Sequence, residues 1–218
     1  MVKAENIHKS YEGLEVLKGV SLGIKKGEIV SIVGSSGAGK STLLQILGTL
    51  AQSDRGSLQI NGQTIHSMKS SHLSTFRNEE IGFIFQAHQL LPEFTALENT
   101  CFPAWIKGNS KKETEKRAEE ILTNLGLADR LDHKPSELSG GEQQRVAVAR
   151  ALINKPAVVF ADEPSGNLDT ASAKALHELF FELRDKYHQT FVIVTHNREL
   201  AEMSDRMLEI KDGVIINE

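Results

Sequence analysis

The chemistry this chain could do concentrates in one stretch, Gly34-Ser35-Ser36-Gly37-Ala38-Gly39-Lys40-Ser41-Thr42. Its spacing, G-x-x-x-x-G-K-S, cradles phosphate when it joins a strand to a helix. The flanks meet that condition. Glu28 to Val33 is short, apolar and β-branched, as a buried strand is. Leu43 to Leu50 reads as a helix with an apolar face. Gly34, Gly37 and Gly39 let the backbone curl and aim successive N–H groups inward, and the positive end of the helix adds to them. Lys40 brings a full charge to the outer phosphates, and Ser41 offers a hydroxyl to Mg²⁺. A glycine-rich turn whose Ser and Lys merely face solvent would leave the complete spacing unexplained.

Phosphoryl transfer also needs a metal, an oriented water and donors for the charge on the γ-phosphate. Val158 to Ala161 is an apolar strand that runs into Asp162, Glu163 and Pro164. Ligands collect at the carboxyl ends of strands in open α/β sheets. Asp162 is therefore the candidate to hold Mg²⁺ through water, and Glu163 the general base for the attacking water. Gln86 follows the strand-like Ile81 to Phe85, and His196 follows the strand-like Phe191 to Thr195. Each alone is an ordinary strand-end residue. Together they are placed to touch γ-phosphate, metal or water, with Gln86 joining Ser41 and Asp162 as a metal candidate. Tyr11 either stacks on adenine or is a half-exposed strand tyrosine. Ser139-Gly140-Gly141-Glu142 opens the apolar stretch Val146 to Ile153. Ser139 and Glu142 fit a helix-capping box, which is by itself a complete structural explanation. The two glycines also leave that helix end open to a second anion. One ATP already has its cradle at 34–42, so a second site makes sense facing the nucleotide of another subunit.

The elements that must position these residues alternate. Short strand-like pieces fill 2–24, separated by Gly13, Gly19 and Gly27. Asn61-Gly62 between alternating runs predicts a hairpin, as does Asp212-Gly213 near the end. Residues 87–155 lose strand character, and Lys111 to Leu125 reads as an amphipathic helix closed by Gly126. From Val158 strands and helices alternate, with helices at Ser172 to Tyr187 and Glu199 to Met203, which implies a mostly parallel sheet.

Composition sets the outer bounds. The chain has 218 residues, 39% hydrophobic and 25% charged, enough for one sizeable core. Its net charge of −4 gives no footprint for nucleic-acid binding. No run approaches the roughly 18 apolar residues of a membrane span, and no apolar signal-peptide core follows Met1. The single cysteine, Cys101, excludes an internal disulfide and a cysteine-based metal site. It reads as a small packing residue in a reduced, cytoplasmic setting.

In order and spacing these motifs resemble the nucleotide-binding subunit of ABC transporters over the whole chain. Residues 34–42 match the phosphate loop, Gln86 the glutamine loop and Leu138 to Glu142 the signature. Asp162-Glu163 matches the second nucleotide motif, Asn167-Leu168-Asp169 the D-loop and His196 the switch histidine. The resemblance implies an α/β fold: a P-loop NTPase core with a mostly parallel sheet, an N-terminal antiparallel β subdomain and an inserted α-helical subdomain. One ATPase domain, 1–218, would comprise a core at 1–86 and 156–218 and a helical subdomain at 87–155. It implies ATP hydrolysis with Mg²⁺, and a homodimer that forms on ATP. There Ser139, Gly140 and Gly141 would reach the γ-phosphate bound by the other subunit, and Asp169 would lie at the contact. The implied partners are integral membrane subunits, so the chain would sit peripherally on the cytoplasmic face of the inner membrane without inserting into lipid. A narrower resemblance, carried by Phe85 to Asn99, His133 to Leu138 and Gly166 to Asp169, is to the lipoprotein-releasing (Lol-type) branch, near the macrolide-exporter and cell-division ATPases. Two positions depart from the common pattern: Glu142, where many relatives have Gln, and Ser165, where Thr is common. Exporter, cell-division and small-molecule importer cargoes are the alternatives that the motifs leave open.

Overall fold

The computed structural model describes residues 1–217. Two sheets and three layers of packing position the chemistry. The smaller sheet is antiparallel: β1 (Val2–Tyr11), β2 (Leu14–Ile24), β4 (Arg55–Ile60) and β5 (Gln63–Thr64), in the order β2-β1-β4-β5. The larger sheet has the order β10-β9-β3-β8-β7-β6. It contains β3 (Ile29–Val33), β6 (Ile81–Phe85), β7 (Val158–Asp162), β8 (Thr190–Val194), β9 (Arg206–Lys211) and β10 (Val214–Asn217). The β9-β3-β8-β7-β6 run is parallel, and β10 closes it as an antiparallel edge.

The strand period of two sorts the core into two halves. Val158, Phe160, Val192 and Val194 face one side, where they pack with helix α1 (Lys40–Leu47) and the antiparallel sheet. Val159, Ala161, Phe191 and Ile193 face the other, against α5 (Gly140–Leu152), α6 (Thr170–Tyr187) and α7 (Arg198–Met203). Strands buried on both faces need no polar alternation, which is why they read as continuous apolar runs. Outside both halves, α3 (Ala96–Ile106) and α4 (Lys111–Asn124) pack on α5 around Cys101, Ala104, Ala118 and Ile153. Burial pushes the Cys101 thiol up to about 12, so it is a neutral packing group.

Three expectations change. The pieces expected in 2–24 are two long strands in one ladder. Gly19 and Asn6 are bulges within it, at φ 84° and 52°, not breaks between strands. Helix α1 starts at Lys40 instead of Leu43, which puts Lys40, Ser41 and Thr42 in its first turn. Helix α2 (Ser70–Glu80) was not expected, and α3 falls in the helical 87–155 stretch without having been placed there individually. In α2 only Phe76 is buried, so no apolar face shows in its sequence. In α3 Pro103 interrupts the helical pattern, and Asn78 and Asn154 bind the Pro103 carbonyl at 3.0 and 3.1 Å.

Candidate active site

The chemistry-bearing residues lie along one sheet edge. The loop at 34–39 follows β3, Glu163 follows β7, His196 follows β8 and Gln86 follows β6. These strands are adjacent and parallel, so their carboxyl ends open on the same side.

The phosphate loop is fixed by two glycines. A Cβ at Gly34 would overlap the Ile210 carbonyl oxygen, and one at Gly39 would approach Leu17 Cδ2 to 2.8 Å. Both have positive φ, 153° and 102°, which a larger residue would strain to adopt. From Ser36 to Ser41, among the described residues only the Ala38 N–H takes a protein acceptor, Ser35 O at 3.2 Å. The neighbouring N–H groups stay free for an anion at the start of α1. Lys40 Nζ donates to Gly34 O and Ser35 O, both at 2.9 Å, and so lies folded over the loop it belongs to.

Ser41 Oγ donates to Asp162 Oδ1 at 3.2 Å and ties the loop to the end of β7. Burial pushes the Asp162 carboxyl above its usual range; the Ser41 bond and Lys40 oppose this, and the Glu163 charge adds to it. A hydroxyl and a carboxylate that meet on a partly buried edge form a hard-oxygen donor set of the kind Mg²⁺ takes. Among the described residues no three His, Cys, Asp or Glu groups converge as a metal cage. Glu163 takes the left-handed conformation, φ 46°, and its N–H donates to Val194 O at 2.9 Å. This turn aims the carboxylate across β8. Glu163 Oε2 accepts from the His196 N–H at 3.2 Å and lies 2.9 Å from His196 Nδ1. The carboxylate is largely covered, while the imidazole is 72% exposed and free to turn toward a ligand.

Gln86 is held in a pairing the sequence did not reveal. Its Nε2 donates to Asn167 Oδ1 at 3.0 Å, and Asn167 Nδ2 donates to Gln86 O at 3.1 Å. Asn167 was noted only as part of a motif; the separation of 81 positions hides the pair from any local pattern. Arg150 was also missed. Its guanidinium donates to His88 O at 2.8 Å and Gln89 O at 2.6 Å, and so anchors the segment after Gln86 to α5.

The remaining candidates stand apart. Ser139 caps α5 in a complete capping box: Ser139 N–H to Glu142 Oε2 at 2.7 Å, and Glu142 N–H to Ser139 Oγ at 3.3 Å. Arg130 Nε adds a 3.0 Å bond to Glu142. The Ser139 amide, the Ser139 hydroxyl and Arg130 hold the Glu142 carboxyl below its usual range. Gly140 and Gly141 face Leu168 and Ser172 instead of the phosphate loop. Among the described residues no hydrogen bond or ion pair joins 139–142 to residues 34–42. Asp169 caps α6, accepting from the Ala171 and Ser172 N–H groups at 3.0 Å. Tyr11 is half exposed at the end of β1, with Lys9 Nζ 5.3 Å from its ring centroid.

Fold and site together define a P-loop nucleoside-triphosphatase core. The family model described as ABC transporter matches residues 17–166, and the chain belongs to that family as an ATP-hydrolysing cassette. Along its full length it is similar to proteins named lipoprotein-releasing system ATP-binding protein LolD. The one from Bacteroides thetaiotaomicron is 62% identical over 99% of each chain. The one from Aquifex aeolicus is 51% identical over 100% of this chain and 97% of its own. Among solved structures, the dimeric ATP-binding cassette MJ0796, in a post-hydrolysis state bound to ADP and Pi, has a TM-score of 0.90. Identity there is 40%, covering 99% of this chain and 96% of that one.

Proposed function

We propose that this chain is the ATPase subunit of a transporter that releases lipoproteins from the inner membrane. The observation that carries this reading is the end-to-end identity, 58 to 62% over 99 to 100% of the chain, with proteins named for that system. The geometry supports the energy-supplying half. The free N–H groups of 36–41 and Lys40 bind the β- and γ-phosphates of ATP, and Tyr11 receives the adenine. Ser41, Asp162 and, once freed from Asn167, Gln86 would hold Mg²⁺, which would neutralise charge on the phosphates. Glu163 accepts a proton from water as the water oxygen bonds to the γ-phosphorus and the bridging P–O bond breaks to release ADP. His196, hydrogen-bonded to Glu163, swings its exposed ring to the γ-phosphate.

Ser139 to Glu142 do not meet the phosphate loop of their own chain, and this supports the head-to-tail pair. A second copy brings its 139–142 segment to the ATP held at 34–42. The dimeric state of the MJ0796 cassette agrees. Residues 1–86 and 156–218 act as the nucleotide-binding unit, and 87–155 as the helical unit that meets the membrane subunits. In that unit Leu91 and Phe94 are exposed, and Phe94, Phe102 and Trp105 form an edge-to-face aromatic row at 4.8 and 5.5 Å. No helix among the described residues is long and apolar enough to cross a membrane. On this reading the chain sits on the cytoplasmic face, held by its partners and not by lipid.

The test is mass spectrometry of membrane proteins that co-purify with the chain in detergent, followed by ATP-driven release of a lipid-modified protein from proteoliposomes. Partners with few spans and a large periplasmic domain, together with release, are expected. A many-span permease, or such partners without lipoprotein release, would overturn the cargo and leave an exporter, cell-division or importer ATPase.

A further inference from the structure

The opposite edge of the large sheet carries a cleft of about 660 Å³, within the range of small-molecule sites. Glu80, Ala157 and Gln189 line it, and they immediately precede β6, β7 and β8. The cleft therefore lies at the amino ends of the strands whose carboxyl ends bear the ATP site, about 16 Å away by strand length. Its wall on the helical side is one face of α4, where Arg117, Ile121 and Asn124 recur at helical spacing. Leu125, Leu152, Leu183 and Tyr187 give it an apolar body.

Three cations border this space: Lys26, Arg117 and Lys155. Among the described residues none of them forms an ion pair. Arg117 goes further, for its Nε and Nη2 atoms are buried and have no hydrogen-bond partner. A buried guanidinium N–H without an acceptor is costly, and its planar fork matches carboxylate, sulfonate and phosphate oxygens. Two carboxylates also line the cleft, Glu80 and Glu120. Glu80 is engaged, accepting from Asn61 Nδ2 at 3.1 Å.

We propose that this cleft is a binding site for a small organic anion with an apolar body. The anionic group takes the free Arg117 N–H groups, with Lys155 and Lys26 beside it, and the apolar part lies on Leu125, Leu152 and Tyr187. The site is separate from the nucleotide site and does not rest on the cargo assigned above.

The probes are 8-anilinonaphthalene-1-sulfonate and its uncharged analogue N-phenyl-1-naphthylamine, titrated by fluorescence against the full chain without ATP. Saturable binding of the sulfonate at one site per chain is expected, with the neutral analogue clearly weaker. Arg117→Gln removes a charge-assisted fork and weakens the sulfonate about tenfold. Lys155→Glu, at an exposed position where folding is not at stake, weakens it severalfold. Lys112→Glu, on the same helix but outside the cleft, leaves it unchanged. Circular dichroism checks that the Arg117 variant folds, and Lys155→Glu keeps the test decisive if it does not. Equal affinity for both probes, no saturable binding, or affinity indifferent to Arg117 and Lys155 overturns the proposal.

Discussion

Two helix N-termini in this chain look alike in sequence and differ in what they leave unspent. At α1 the loop 34–39 curls with a left-handed Gly39 at the cap and no side-chain cap, and among the described residues the Gly39, Lys40 and Ser41 N–H groups have no protein acceptor. At α5, Ser139 and Glu142 satisfy each other, and Arg130 binds the carboxylate from outside. The first terminus is ready for a strong multivalent anion, with its own lysine and its own metal-side hydroxyl. The second is already stabilised as a helix end, and among the described residues no hydrogen bond or ion pair joins it to residues 34–42. In the head-to-tail pair proposed above, one ATP would meet both, and one chain holds them apart. The lesson is that a cap can serve folding and still supply a recognition edge, provided that a second molecule brings the charge.

The sharpest way to separate the two termini is to stop the chemistry at the first. Glu163→Gln lowers turnover by about 10²–10⁴, read as phosphate release, while ATP binding persists and the ATP-bound dimer becomes stable enough for gel filtration. Turnover at the parental rate would falsify the general-base assignment. Gly34→Ala strikes the loop itself. Its Cβ collides with the Ile210 carbonyl in a conformation alanine resists, so thermal stability falls by about 2 kcal/mol and ATP affinity falls with it. Ser139→Ala blurs the contrast from the other side. Loss of the cap costs about 1 kcal/mol of stability, ATP binding by the single chain stays intact, and turnover drops. An unchanged turnover would mean that the 139–142 end takes no part in hydrolysis.

A smaller effect tells the two ends apart by pH. The Glu142 carboxyl is held low in the folded chain, so its stabilisation is present above the ordinary Glu value near 4.3 and is lost as pH falls through the folded value. Glu142→Gln flattens that acid limb in a thermal-melt series. Asp162 is shifted the other way by burial, so its charged form works against folding once pH exceeds its raised value. Asp162→Asn accordingly stabilises the nucleotide-free chain at neutral pH, a gain that shrinks in acid, and it weakens Mg²⁺ binding.

Much of the site was legible because phosphate chemistry demands fixed residue types at short spacing. Residues 34–42, 162–163 and 139–142 each declare themselves within ten positions. What escaped has a different physics. The Gln86–Asn167 pair exists only because β6 and β7 are neighbours in the sheet, a fact of topology. Arg150 looks like any solvated helix arginine until the left-handed turn at His88 and Gln89 exposes two carbonyls to it. In the fold, α2 and α3 were hidden because one buries a single aromatic and the other carries a proline, so neither shows the helical period on which sequence reading depends. The long strands β1 and β2 were cut short on paper because a bulge and a turn use the same residues.

The Arg150 anchor joins residues 88–89 to the far end of α5. Helix α5 carries residues 139–142 at one end and grips the His88 and Gln89 carbonyls near the other. A helix of 13 residues is stiff over its length of about 20 Å. A pull on residues 88–89 is therefore felt at Ser139 with no intervening stage, as the two ends of a rod move in one stroke. Relay through soft links would let one end move ahead of the other, whereas a rod carries both together.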